Sequence, residues 1–316
     1  MIAALYIAGV EYFVGWVGLL SIWREIPAVP MLSAFGCVLA SYFVRGVRLH
    51  QYFRQETEGQ YLKSFSIILS HNAWNNLLPA RLGEISLPLL LNRTFQIPAI
   101  SSVAALFWFR LLDAFVLLSL AGLSASIFFF SPGPPLIMVL GIFVSILLGT
   151  IPIFATLIIN QSRSLLITKS TPEKSGSLMK WIKRQLIDSL PTGSGIMFSS
   201  FVLTWLNWAL KIFALAVVFS VLSDLSFLYG VFAILGGEVT SILPLHGPGG
   251  LGTYAAGMFI SLQFLGIQSD SILSAAANAH LFLLSTALLG GGFGMLLKKL
   301  SWTGSRITSW CFLLAR

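Results

Sequence analysis

The chain has 316 residues, 56% hydrophobic and only 9% charged, with 19 Lys and Arg against 11 Asp and Glu for a net charge of +8. Soluble domains carry about 25% charged residues, so this composition, with a mean hydropathy of +0.87, excludes an ordinary soluble domain and any attached soluble catalytic block. The pattern is that of an all-α polytopic membrane protein, in which a basic excess reports orientation rather than nucleic-acid binding.

In chain order, apolar stretches fall at 2–20, 28–48, 61–78, 99–130, 136–159, 196–222, 227–244, 251–265 and 271–297. The first lacks a basic leader and a small-residue cleavage site, and Glu11 interrupts it, so it reads as a retained helix and not a signal peptide. Ser131-Pro132-Gly133-Pro134-Pro135 is an uncharged turn. Residues 161–195, with Arg163, Lys169, Lys174, Lys180, Lys183 and Arg184, form the one long hydrophilic loop. Its tract 178–190 is expected to lie on the membrane surface as a basic amphipathic helix. Cys37 and Cys311 imply no disulfide framework.

Two stretches break at Leu-Pro and continue through glycine: Asn75 to Glu84 (NNLLPARLGE) and Ser241 to Gly252 (SILPLHGPGGLG). Irregular backbone at membrane depth survives only where protein or a watery cavity satisfies it. Both are therefore expected to be re-entrant or broken-helix hairpins, over 64–92 and 227–265. Six full spans then remain, in a single integral membrane domain of residues 1–316 with both termini cytoplasmic. On that layout 15 of the 19 basic residues are cytoplasmic, Arg45 and Arg48 among them, and only Arg24 lies outside. Span, hairpin and span recur at about 28–130 and 196–297 in opposite orientation, the inverted repeat of many secondary transporters, whose sites lie at the midplane.

Charges inside a membrane cost about 2.5–3.5 kcal/mol each on insertion scales, so they demand a reason. Arg81 and Glu84, and Arg110 and Asp113, are spaced i,i+3 and can share a helix face. They read either as structural salt bridges or as arginines that bind an anionic headgroup while carboxylates hold them. Arginine suits phosphate because its planar fork donates two hydrogen bonds at once. Lys211, one turn after Asn207, is expected to partner Glu238 or to serve the site, and Glu238, after Gly236-Gly237, is placed to titrate. His246 occupies in the second break the position that Arg81 holds in the first. Gly249, Gly250 and Gly252 suit a sharp turn and close backbone approach. No histidine spacing supports a metal, and the glycine run lacks the ending and the preceding strand of a nucleotide loop, so no cofactor is expected.

These motifs, in this order, resemble the transmembrane flippase-like domain of the lysylphosphatidylglycerol synthase family: NNLLPARLGE at 75–84, FRLLD at 109–113 and LPLHGPGGLGTY at 243–254. The resemblance spans about residues 30–297. It implies movement of lipids between leaflets and points by position at Asn76, Pro79, Arg81, Gly83, Glu84, Arg110, Asp113, Gly249, Gly250 and Gly252. The chain departs from the family where an acid often follows the glycine run (Thr253-Tyr254-Ala255-Ala256 here) and where a base commonly follows the motif glutamate (Leu87). Asn278 and His280 stand where relatives more often carry arginine. The synthases' soluble aminoacyl-transfer domain is not within these residues, so lysylphosphatidylglycerol synthesis is not expected. The expectation is a non-enzymatic translocase of the bacterial inner membrane. Its partners would be membrane lipids, of phospholipid, aminoacylated or polyprenyl-phosphate type. A small-solute transporter of the same architecture, a lipid-phosphate enzyme and a non-catalytic accessory subunit are the alternatives.

Overall fold

The computed structural model describes residues 11–12, 15–24, 26–130, 133–168, 194–242, 250, 252–268 and 271–314. Of residues 19–20, 79–81, 156–157, 159–168, 194, 242 and 300–314 it describes the backbone alone. All regular structure among these residues is helical. Nine principal helices follow one another: α1 (Ala28–Tyr52), α2 (Tyr61–Leu77), α3 (Ser86–Phe95), α4 (Ala99–Phe130), α5 (Pro135–Thr168), α6 (Ser194–Ser223), α7 (Phe227–Ile242), α8 (Thr253–Gln263) and α9 (Ser271–Leu314).

Among the described residues, five segments are long and apolar enough to cross a bilayer: Ala28–Tyr52, Ala99–Phe130, Pro135–Ala155, Gly195–Ser223 and Ser271–Lys299. The chain is thus a multi-pass membrane protein. The expected first span, 2–20, falls largely outside the described residues, as does the amphipathic tract 178–190. From its C-terminal end only a short helix, Trp16–Ser21, and the 3-10 turn Ile22–Arg24 are described. Trp23 of that turn donates its indole N–H to Asn278 Oδ1 at 2.7 Å, fixing it to α9.

The two Leu-Pro breaks separate helices of 17 and 10 residues (α2, α3) and of 16 and 11 residues (α7, α8). About 20 residues are needed to cross the hydrocarbon, so each is too short to span alone. Pro79 sets the first break because the residue before a proline is forced out of the α region; Leu78 is extended at φ −84°, ψ 139°. A 3-10 turn, Pro79–Ile85, leads directly into α3. In the second, Gly252 at φ +86° opens α8, a conformation an L side chain rarely adopts.

Buried residues of α1 (Ala34, Val38, Tyr42, Leu49) recur at helical spacing, and α6 lies along this face. Helix α2 is buried from Ser66 through Ala73 with no exposed face in that stretch, which places Ser66, Ser70, His71 and Asn72 inside the bundle. It is enclosed by α1, α3 and α9. Helix α7 likewise packs against α6, α8 and α4. Gly122 and Gly141 face Ser145 and Ser126 across the α4–α5 contact so closely that a Cβ would collide, the small-residue packing of membrane helices. Leu136, Leu140, Phe143, Val144, Leu147 and Phe154 of α5 are exposed. That surface would be a liability in water and is ordinary against lipid.

Two apolar clusters result. The larger joins α1, α6, α7, α8 and α9 with Leu69 of α2 and Val116 and Leu117 of α4, and the smaller joins the end of α1 with α2, α3 and α4.

Candidate functional site

One polar cavity of about 110 Å³ lies inside the bundle, lined from both hairpins and from α1, α4, α6 and α9. Its charged lining is Arg45, Glu84, Arg110, Asp113, Lys211 and Glu238.

Asp113 is the centre of one cluster. Its Oδ1 accepts from Arg48 Nη1 of α1 at 3.1 Å and from the indole N–H of Trp208 on α6 at 3.2 Å. Arg48 also donates to Thr204 Oγ1 at 2.6 Å and lies 4.4 Å from the Phe109 ring centroid. Arg110 pairs with Glu84 at 3.0 Å and reaches Asp113 at 3.9 Å. Arg48 and Asp113 are nearly inaccessible, at 3% and 6% exposure. Burying such ions is repaid only by close geometry and further hydrogen bonds, which Thr204 and Trp208 supply.

Glu238 is the centre of the second cluster. Its Oε1 accepts from Lys211 Nζ at 2.7 Å and from the Tyr254 hydroxyl at 2.6 Å, and it is 1% exposed. The Lys211 ammonium also stands 4.9 Å from the Trp208 ring centroid. Tyr254 packs beside the His280 imidazole, ring centroids 5.0 Å apart.

Two helix pairs, α1 with α2 and α6 with α7, meet the cavity in matching register. Arg45 is the eighteenth residue of α1 and Lys211 the eighteenth of α6; Asn72 is the twelfth of α2 and Glu238 the twelfth of α7. In each pair the cation bonds that hairpin residue, Arg45 to Asn72 Oδ1 at 2.6 Å and Lys211 to Glu238 at 2.7 Å. Tyr42 and Trp208, three residues before each cation, also line the cavity.

Of the residues singled out from sequence, Asn76, Glu84, Arg110, Asp113, Lys211, Glu238 and Gly250 are brought together on this cavity. Asn76 donates to the Asn72 carbonyl at 2.8 Å. Gly83 is buried against the backbone of Trp74 and Asn75, where a Cβ would overlap both, so its role is to close the first break. Gly252 opens α8 and does not line the cavity. Pro79 begins the 3-10 turn; its side chain, that of Arg81, and the whole of His246 and Gly249 lie outside the described residues. His71 is a packing residue whose Nδ1 meets Ser86 Oγ at 2.9 Å, while Ser86 donates to the Gly83 carbonyl at 2.6 Å, which ties the break together.

The sorting of basic residues needs correction. Arg45 and Arg48, at the end of the stretch 28–48, were expected among the cytoplasmic basic residues. Helix α1 instead runs on to Tyr52 and carries both into the bundle interior, Arg48 onto Asp113 and Arg45 onto the cavity. The expected i,i+3 pairing was also incomplete, because Arg110 makes its short contact to Glu84 and Asp113 makes its own to Arg48. Asn72, Asn75, Tyr42, Trp208, Ser241, Tyr254 and His280 line the cavity as well. The parallel Tyr42-x-x-Arg45 and Trp208-x-x-Lys211 is the signal by which sequence could have found Arg45. At the three departures from the family pattern, Tyr254 bonds Glu238, Leu87 is buried in the smaller core, and Asn278 holds Trp23 while His280 lines the cavity.

No curated protein and no solved structure matches the chain. The family model described as the lysylphosphatidylglycerol synthase TM region matches residues 1–291. That match covers every described element from the first short helix through α8 and runs into α9 as far as residue 291, and the chain belongs to this family of membrane domains.

Proposed function

We propose that the chain is a lipid translocase, moving an anionic or zwitterionic headgroup across the bacterial inner membrane through the cavity between two inverted repeats. The observation that carries the reading is the cavity itself: a charged chamber inside an apolar bundle, lined by both broken hairpins in a family of lipid-related membrane domains. Charges at such depth mark pathways and sites by default. The repeat is supported by the shared register of Arg45 with Lys211 and Asn72 with Glu238, and by packing that exchanges the units: α1 lies on α6, α2 on α9 and α7 on α4.

A volume of about 110 Å³ is small beside the roughly 300–1,000 Å³ of pockets that enclose drug-sized ligands. It suits a headgroup whose acyl chains stay in the membrane better than an enclosed solute. Removing Arg45 and Arg48 from the loops leaves 13 of 19 basic residues on the side assigned to the cytoplasm, which supports cytoplasmic termini. Phospholipids, aminoacylated lipids and polyprenyl-phosphate carriers all present the required phosphate. Protonation of Glu84, Asp113 or Glu238 would couple transport to a proton gradient. The work is transport and not bond-making.

The test is headgroup flipping in proteoliposomes. Arg110→Ala and Arg81→Ala are expected to reduce the rate at least 10-fold while the protein stays folded and monodisperse. Wild-type rates in both variants would overturn the site, and an inactive wild-type protein across all three lipid classes would overturn the function.

A further inference from the structure

The two halves of the cavity match in register but not in charge. Lys211 is answered by a carboxylate, Glu238, at 2.7 Å, whereas Arg45 is answered by a neutral amide, Asn72, at 2.6 Å. The other cations are committed as well: Arg48 to Asp113, and Arg110 to Glu84. Among the described residues the cluster therefore holds four cations and three carboxylates, and Arg45 is the cation with no carboxylate in contact.

Arg45 also has hydrogen bonds to spare. A guanidinium carries five N–H donors and no acceptor, and Arg45 makes one hydrogen bond to a described residue. That bond fixes its partner's orientation. Arg45 can only donate, so Asn72 must turn its oxygen toward it and its NH₂ away. This NH₂ is buried and has no partner, and Asn72 is 3% exposed and lines the cavity. Asn207 Oδ1, across the cavity on α6, is likewise buried without a partner. Buried polar groups in native proteins are ordinarily satisfied, and each exception calls for a reason. Here a guanidinium with no carboxylate in contact and an orphaned amide donor belong to two hydrogen-bonded residues that line the same small space, a pairing suited to one negative charge.

We propose that Arg45 and the Asn72 amide form the receptor for a phosphate-type monoanion, on the first-repeat side of the cavity. The guanidinium donates to two of the anion's oxygens and Asn72 Nδ2 donates to a third contact. Lys211, already neutralised by Glu238, takes no part in binding the charge. The inference rests on the translocase reading only in drawing the phosphate from a lipid; free inorganic phosphate has the same chemistry.

Binding to the purified chain in alkyl-maltoside micelles, which carry no phosphate, separates these cases. Phosphatidylglycerol, diacylglycerol without phosphate, and inorganic phosphate are offered in turn. Phosphatidylglycerol is expected to bind, diacylglycerol is not, and Arg45→Gln is expected to weaken binding at least 10-fold. Asn72→Asp recreates at Arg45 the pairing found at Lys211 and is expected to do the same without unfolding the protein, whereas Arg45→Lys, which keeps the charge but loses the two-pronged fork, should fall between wild type and Arg45→Gln. Should Asn72→Asp fail to fold, Arg45→Gln against Arg45→Lys carries the comparison. Binding of inorganic phosphate alone, lost in Arg45→Gln, supports the receptor and identifies a free anion as its ligand. No anion binding to wild type, or undiminished binding in folded Arg45→Gln, overturns it. Arg45-dependent binding without flipping would refute translocation and leave the receptor standing, and flipping with undiminished binding in Arg45→Gln would do the reverse.

Discussion

Replacing Glu238 by Gln tests whether the buried charges behave as the geometry requires. Gln keeps the shape and an oxygen that can still accept from Tyr254, but it removes the counter-charge 2.7 Å from Lys211. Breaking a buried ion pair by removing one partner costs about 3–5 kcal/mol. The Lys211 side chain retains 18% exposure, toward the cavity, so water recovers part of its solvation and the low end, about 3 kcal/mol, is expected. Most of that cost is the orphaned cation. Lys211→Met in the same chain removes the orphan and keeps an unbranched apolar stem against Trp208, so the double variant should return to within about 1 kcal/mol of wild type, since apolar replacement of a whole buried pair is often near neutral. Equilibrium unfolding in bicelles gives the three stabilities needed for a double-mutant cycle. A double variant as unstable as the sum of the two single variants would refute the reasoning, because it would mean that Lys211 and Glu238 act independently.

Asp113→Asn should destabilise by about 3–5 kcal/mol, more than Glu238→Gln, because it removes the counter-charge in contact with Arg48, which at 3% exposure has almost no access to water; the same unfolding measurement ranks the two. Gly83→Ala places a Cβ into the backbone of Trp74 and Asn75, and overpacking of this kind costs about 1–3 kcal/mol. A lowered melting temperature together with lost flipping is expected, with Gly18→Ala, which has open space around it, as the silent control. In a chain with Cys37 and Cys311 replaced by Ser, an impermeant maleimide should label Arg54→Cys from the cytoplasmic side and Asp224→Cys from the opposite side. Both positions are exposed, and labelling of both from one side would refute the assigned orientation.

The architecture was legible where backbone chemistry is local. Proline at 79 and glycine at 83 and 252 announce breaks because their restrictions act on adjacent residues, and the apolar run 99–130 coincides with α4 because no proline falls within it and its two charges leave the helical backbone undisturbed. The end of α1 was not legible. Leu49 to Tyr52 contains no proline or glycine, so the helix continues past the arginines, and a rule that sorts cations by distance from an apolar run moves Arg45 and Arg48 to the wrong place. Pairing was legible only within a turn. An i,i+3 spacing anticipates Arg110 near Asp113, but the shorter contact, to Glu84, is set by how the 3-10 turn Pro79–Ile85 lies against α4, and that depends on packing. Tyr254 illustrates the same limit: as a residue it reads as a missing acid, yet in place it donates to Glu238 and completes the cluster by another route.

Trp208 and Lys211 stand one turn apart on α6 and reach different carboxylates, the indole to Asp113 and the ammonium to Glu238. The helix is therefore a shared axle fastened by two latches, one to the first unit and one to the second. Turning it by a few tens of degrees would draw both donors from their acceptors at once, since both ride on the same rigid cylinder. Each carboxylate would then lose its α6 donor in the same movement, while Arg48 on Asp113 and Tyr254 on Glu238 hold the remainder of each cluster.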